Sequence, residues 1–420
     1  MKIRAESEQE EMMNWTRKTL TPIAALLATT ALVTTPARAQ MSDNVIRIGV
    51  MNDQSGPYAD NCGPGSVTSV RLAIADAGGA INGTKIEVVV ADDQNKPDVG
   101  VATARRWVEK EGVDMILGCS ASSIALAVSD IMRENNKPYL LAGTASSETT
   151  NSKCSPMTMN WAYDTYTLSK GTVKAQLEQG MDTWYFITVD YTFGKQWQDD
   201  ATSFIKAAGG KVLGTSLHPL NATDFSSQLL QAQASGAKVI GVANSGSDLA
   251  NLIKQAKEFG IIGSKQRLAP LGIQVNAVHG IGLDATQGLI ISAAAYWNQN
   301  DATRAFTKRY SAAFQNRIPN ESQLVTQTAV QHYLKAVAAA GTDEGKAVMA
   351  KMRELPVNDM LVKDVKIRED GVVMRPMLAA KVKKPGESKA PWDYYEVYGA
   401  IAAEDAWRPL SESACPLVKK

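Results

Sequence analysis

No hydrophobic run beyond the first 40 residues is long enough to cross a bilayer, which takes about 20 apolar residues. An excess of either charge is also missing. With 44 basic residues against 43 acidic ones and no basic block, nothing marks a nucleic-acid or anionic-membrane partner. Only three histidines occur, His218, His279 and His332, and they are too scattered for metal-ligand spacing. Neither a nucleophile elbow nor a pair of catalytic carboxylates stands out, so the reading is not an enzyme. Gly63 and Gly65 hint at a dinucleotide fingerprint. Thr68 occupies the third glycine position, however, and Pro64 removes an N–H that a phosphate would use. No cofactor and no metal is expected.

What is present is a globular composition, 45% hydrophobic and 21% charged over 420 residues, enough for two domains with real cores. Arg17-Lys18, the apolar stretch Leu20 to Val33 and Ala37-Arg38-Ala39 form a basic region, a short hydrophobic region and an A-x-A site. Together they predict a secretory signal cut after Ala39, with residues 1–39 as signal and upstream leader. Met1 to Glu11 is acidic and unlike the start of a signal, so Met12 or Met13 is the expected start of translation. The mature protein is expected to be exported, soluble and monomeric.

Export makes oxidised cysteines plausible. Cys62 follows the first strand and Cys119 the third, which are neighbours in a doubly wound sheet. Cys154 follows the fourth strand, and Cys415 lies near the C-terminus. The favoured pairs are Cys62–Cys119 and Cys154–Cys415, against four unpaired thiols.

One unit occurs twice between Asp114 and Asn151. Met115-Ile116-Leu117 stops at Gly118 and opens into Cys119-Ser120-Ala121-Ser122-Ser123. Tyr139-Leu140-Leu141-Ala142 stops at Gly143 and opens into Thr144-Ala145-Ser146-Ser147. Such runs, separated by a helical pattern from Ile124 to Asn135, read as buried parallel strands. Ligands of open α/β sheets bind beyond the carboxyl ends of the strands. Hydroxyls and a helix N-terminus there suit a small carboxylate. The alternative is that these serines only cap helices.

Around this unit, strands at 45–52 and 85–91 and helices at 67–77 and 97–109 complete a first α/β lobe. A second series comes after it: strands at 184–189, 211–217 and 238–243, and helices ending near 208, 234 and 259. Strands at 289–295 and 377–382 and helices at 303–314 and 323–339 close the pattern, with Lys381 to Lys389 as an exposed hairpin tip. The expected fold is α/β, two doubly wound lobes with a ligand cleft between them and three hinge crossings. Lobe 1 takes residues 40–162 and 297–371; lobe 2 takes 163–296 and 372–420.

The stretches IRIGVMNDQSGPYAD, INGTKIEVVVADDQNKPD, GCSASSIALAVSD, D-Y-T-F-G and HPLNATDFSSQLLQAQASGAKVIGVANSGSDLANLIKQA resemble the Leu/Ile/Val-binding family of periplasmic solute-binding proteins. That resemblance covers nearly the whole mature chain and is nearest the branch that binds aromatic acids. It implies a type I periplasmic binding protein that captures a small-molecule ligand for an ABC permease in the inner membrane. It places a carboxylate on Ser122, Thr144 and Ser146, and an aromatic lid at Phe193 with Tyr191 nearby. Asp248 matches the position that holds an ammonium in amino-acid binders, though an Asp is shorter than the usual Glu; it could equally cap a helix from Leu249. Tyr58, Ser123 and Trp297 complete the candidate set, the aromatics being site contacts or ordinary packing. An aromatic acid is the favoured ligand and a branched-chain amino acid the next. A ligand sensor of the same fold, working with a separate signalling partner, is the alternative.

Overall fold

A computed structural model describes residues 41–419. The expected signal segment, its cleavage site and the start at Met12 or Met13 lie outside the described residues.

The first sheet has six strands in the order β2-β3-β1-β4-β5-β6. They are β1 Val45–Asn52, β2 Ala80–Ile81, β3 Thr84–Asp92, β4 Met115–Gly118, β5 Tyr139–Leu141 and β6 Thr158–Asn160. All pair in parallel except the β2–β3 hairpin. Helices α1 Gly63–Asp76, α2 Pro97–Lys110 and α3 Ser122–Glu134 make the crossovers. The strands are apolar on both faces because helices cover both. At Gly49, in the middle of β1, the Trp107 ring of α2 lies so close that a Cβ would sit 2.6 Å from it. Any side chain there would push the helix off the sheet.

Helix α4 Thr165–Leu177 then leads to a four-stranded parallel sheet, order β10-β9-β7-β8. Its strands are β7 Thr183–Val189, β8 Lys211–His218, β9 Val239–Ala243 and β10 Arg267–Pro270. Between them run α5 Thr192–Ala207, α6 Ser226–Ala234 and α7 Gly246–Glu258, with α8 Val275–Ile281 and α9 Leu283–Thr286 after β10.

The last part of the chain departs from the expectation of two doubly wound sheets alone. β11 Ile290–Ala293, β12 Met377–Val382 and β13 Tyr395–Ile401 form a separate antiparallel sheet. Between β11 and β12 the chain makes α10 Asp301–Ala313, α11 Glu321–Ala340 and α12 Gly345–Glu354. Of these, α10 and α11 pack on α1, beside the first sheet. A short α13, Ala403–Ala406, packs on α4. The chain thus passes between the first sheet and the other two three times: after β6, after β11 and before β12. This is the two-lobed α/β fold with three crossings. Near the first and third crossings, Asn160 and Val372 form a parallel bridge.

Both cysteine pairs are disulfides. Cys62 and Cys119 have Cα atoms 5.9 Å apart, and Cys154 and Cys415 5.5 Å. The first joins the loops after β1 and β4, which are neighbours in the sheet. The second fastens the C-terminal segment to the loop before β6.

Candidate functional site

The carboxyl ends of five parallel strands, β1, β4, β5, β7 and β9, face one cavity between the lobes, and β10 closes it. It holds about 590 Å³ of empty space, part of it open to solvent. The loop after β1 is shaped by Asp53. That carboxylate accepts hydrogen bonds from the N–H groups of Gly56 at 2.6 Å and Tyr58 at 2.8 Å. Tyr58 is thereby aimed across the cleft, where its hydroxyl meets the Tyr191 hydroxyl at 2.8 Å.

After β4 the chain turns directly into α3. Ala121 is the N-cap and brings no side-chain hydrogen bond, so Ser122 is the first helical residue rather than the cap. Ser122 is 1% exposed, lines the cavity, and its Oγ has no partner among the described residues. A buried hydroxyl beside the free N–H groups of a helix N-terminus offers donors and a partial positive charge to an anion. Capping does not account for it.

The second hydroxyl cluster is used differently. Thr144 Oγ1 donates to the Ser120 carbonyl at 2.9 Å, and Ser146 Oγ to Gln196 Oε1 of α5 at 2.9 Å. Ser147 Oγ donates to Asp200 at 3.0 Å. Only the small residues Gly143 and Ala145 of this loop line the cavity. Thr144 and Ser146 therefore do not present free donors, contrary to the sequence expectation. Ser123, half-buried on α3, does not line the cavity either.

Opposite α3 stands an aromatic wall. Tyr191 ends β7's loop, and Phe193 and Trp197 lie one turn apart on the first turns of α5, with ring centroids 4.9 Å apart. Tyr58 and Tyr163 extend the wall, and the Trp197 indole N–H is buried without an acceptor. Burial pushes the hydroxyl pKa values of Tyr58, Tyr163 and Tyr191 up, so all three stay neutral donors.

Two expected contacts lie elsewhere. Helix α7 starts at Gly246, so Asp248 sits in its first turn instead of at its cap. The Asp248 carboxylate is buried, and its Oδ2 accepts from the Asn221 N–H at 2.8 Å. It holds the loop after β8 and does not line the cavity. Trp297 turns toward the β12–β13 hairpin, donating its indole N–H to the Trp392 carbonyl at 2.9 Å. It borders a second, smaller cavity with Tyr296 and Tyr395.

Gln274, Glu321, Tyr163 and Trp197 are among the lining residues that sequence reasoning did not single out as a site. Trp197 carried a signal, since it comes four residues after Phe193 and shares its helix face. Glu321 carried none, because an acid at the start of a helix is ordinary.

The lobes touch across the cavity mouth. The Ser247 N–H donates to the Pro57 carbonyl at 3.0 Å, and Asn61 Nδ2 to Ser245 Oγ at 3.2 Å. Gly246 has φ +66°, and a Cβ there would overlap the Pro57 carbonyl oxygen and crowd the Tyr58 ring. Only glycine fits this approach.

Residues 45–388 match the sequence model of a family described as periplasmic binding protein. The chain belongs to the periplasmic binding protein family. Among solved structures, a periplasmic binding protein from Burkholderia mallei is 43% identical with a TM-score of 0.87, over 90% of this chain and 100% of that one. A branched-chain amino acid ABC transporter periplasmic ligand-binding protein from Burkholderia xenovorans LB400 is 35% identical with a TM-score of 0.79, over 89% and 100%. A Rhodopseudomonas palustris ABC transporter solute-binding protein solved in complex with benzoate shares the fold at 19% identity, with a TM-score of 0.77 over 89% of this chain and 99% of that one. A Leu/Ile/Val-binding protein homologue of Brucella abortus is 27% identical over 213 residues, 50% of this chain. This periplasmic binding protein spans about half the length of that relative, 54% of it. Among the described residues no helix is long and apolar enough to cross a membrane, and no cluster of His, Cys, Asp and Glu could hold a metal ion.

Proposed function

We propose that this periplasmic binding protein is exported, with cleavage after Ala39, and captures a small carboxylate for an ABC permease of the inner membrane. One observation carries the reading: the buried, unpartnered Ser122 hydroxyl at the uncapped N-terminus of α3, facing aromatic side chains of the opposite lobe. The carboxylate would sit on Ser122 and the adjacent helix N–H groups. The ligand body would lie against Tyr58, Tyr191, Phe193 and Trp197. Packing supports lobes of residues 40–162 with 297–371 and 163–296 with 372–420, since α10 and α11 lie on α1. Ligand contacts on both sides of the cleft favour the closed arrangement, which is what a receptor that signals occupancy by shape requires.

Aromatic acids are the favoured class. Stacking adds about 0.5–1.5 kcal/mol to burial, and the wall supplies the rings. Fold neighbours solved with benzoate and 4-hydroxybenzoate agree with this, while the 35% identical neighbour is described as a branched-chain amino acid transporter component. Branched-chain amino acids are therefore the second class. The test is calorimetric titration of both classes into wild type and Ser122→Ala. At least one carboxylate is expected to bind wild type and to bind Ser122→Ala at least about tenfold more weakly, as for a lost charge-assisted hydrogen bond. Equal affinities for every ligand that binds would remove the carboxylate site.

A further inference from the structure

Where α11 and the loop after β10 border the cavity, the polar groups change character from donors to acceptors. Glu321 opens α11 and is 7% exposed; one carboxyl oxygen accepts the Ala294 N–H at 2.8 Å, and it takes part in no ion pair among the described residues. Gln274, 9% exposed, gives its Nε2 to the Tyr163 hydroxyl and the Ser322 hydroxyl, both at 2.9 Å. Its Oε1 is buried with nothing to accept. Both residues line the cavity, which no Lys, Arg or His borders. A buried carboxyl and a buried amide oxygen, both short of donors, are costly in a site with no further role for them.

We propose that Glu321 and Gln274 Oε1 form a second polar subsite, which takes a hydrogen-bond-donating group of the ligand, an ammonium or a hydroxyl. Resting on the carboxylate reading above, this narrows the substrate class to small carboxylates that carry a hydrogen-bond donor in addition to the carboxylate. Glu321, not Asp248, then supplies the counter-charge for any amine. Burial with no cation nearby pushes the Glu321 carboxyl up to about 8. The titratable groups facing it are the Tyr163 and Tyr395 hydroxyls, both pushed up by burial and so neutral. Glu321 thus carries a proton near pH 7, can meet a hydroxyl while neutral, and gives up its proton to meet an ammonium.

The experiment is calorimetric titration at pH 7 with benzoate, 4-hydroxybenzoate and 4-(aminomethyl)benzoate, and with 4-methylpentanoate against leucine. Each titration is repeated in two buffers of different ionisation enthalpy. At least one donor-bearing acid is expected to bind about tenfold or more tightly than its donor-free partner, the scale of a charge-assisted hydrogen bond. An ammonium-bearing ligand that binds should release protons in wild type and none in Glu321→Gln. Glu321→Gln should lose about tenfold for that ligand and less than about threefold for a hydroxyl ligand, because the amide oxygen still accepts. Gln274→Met, read in the same way, covers a Glu321 variant that fails to fold. Benzoate and 4-methylpentanoate binding as tightly as their donor-bearing partners would overturn the subsite and leave the carboxylate site standing. Failure of all five to bind would remove both.

Discussion

The two copies of the strand, glycine and hydroxyl unit begin alike and end in different roles. After β4, the chain enters a 13-residue helix at once, so its first N–H groups and the Ser122 hydroxyl are left facing the cavity. After β5, the chain runs irregularly through a four-residue 3-10 turn, Ser147–Thr150, that lies against α5 of the other lobe. There the hydroxyls are consumed by Gln196 and Asp200. The same residue types face the cavity unpartnered in one place and make lobe-to-lobe contact in the other. The element after the glycine decides between them: a helix long enough presents a free end, and a short turn cannot.

The largest way to break this comparison is pH, because a buried carboxyl, Asp164, caps the helix that the second copy's loop packs against. Asp164 caps α4, accepting the Thr167 N–H at 2.8 Å, and the next N–H, of Thr165, donates to the Ala145 carbonyl at 2.7 Å. Burial, reinforced by Asp200, pushes the Asp164 carboxyl from 3.8 up to about 7. The folded state therefore binds this proton more tightly than the unfolded state. Its stabilising contribution is complete below pH 4 and is lost as the pH rises to about 7, by up to about 4 kcal/mol. Asp164→Asn keeps a good cap without the charge, so it should flatten that slope and raise the melting temperature at pH 8. A parallel pH profile for wild type and variant would show that Asp164 does not titrate in this range.

The disulfides sharpen the contrast next. Cys62–Cys119 closes 57 residues, for which chain entropy predicts about 4 kcal/mol. Both of its cysteines line the cavity, whereas Cys154 and Cys415 do not. Replacing the first pair with serine should lower both stability and ligand affinity. Replacing the second should lower stability alone. Chemical denaturation and titration on the two double variants separate these outcomes, and equal affinity losses would contradict the placement.

Much of the fold is legible in the sequence. β1, β12 and α6 fall on the expected residues because each combines a clean period with turn residues at both ends. β6 and β10 escape such a reading, since a three-residue Thr-Met-Asn strand and a four-residue strand ending in proline carry no period. β13 escapes it because most of its length is exposed. At the site, Ser122 and the aromatics Tyr191 and Phe193 are readable from strand ends. Asp248 misleads because α7 begins three residues earlier than its apolar spacing suggests, which turns that carboxylate to the loop at Asn221. Glu321 reaches the cavity only through the long excursion between β11 and β12, and Gln274 only through the loop after β10, and local spacing says nothing about such distant neighbours.

Comparing hydroxyl deletions tests the two copies directly. Ser122→Ala should cost about 1.5–3 kcal/mol of carboxylate affinity with little change in stability. Thr144→Val leaves the Ser120 carbonyl without its donor, so it should lower the melting temperature while keeping the dissociation constant within about threefold. A reversal of these two patterns would exchange the roles of the copies.

The smallest expected effect is the most discriminating. Ser146 donates across the cleft to Gln196, so Ser146→Ala removes one hydrogen bond that exists only while the lobes are together. Such a bond is worth about 0.5–1.5 kcal/mol, and its loss lowers the closed population without touching the ligand. Release should therefore quicken by about two- to tenfold, while the association rate stays unchanged. Since the carboxylate takes no part, Gln196→Ala should give the same increase, and the double variant should add nothing to either single one. Stopped-flow fluorescence can follow both rates, as Trp197 and Tyr191 line the cavity. A deficit that falls on association, or one that differs between Ser146→Ala and Gln196→Ala, would place Ser146 on the ligand and make the two copies functional equals.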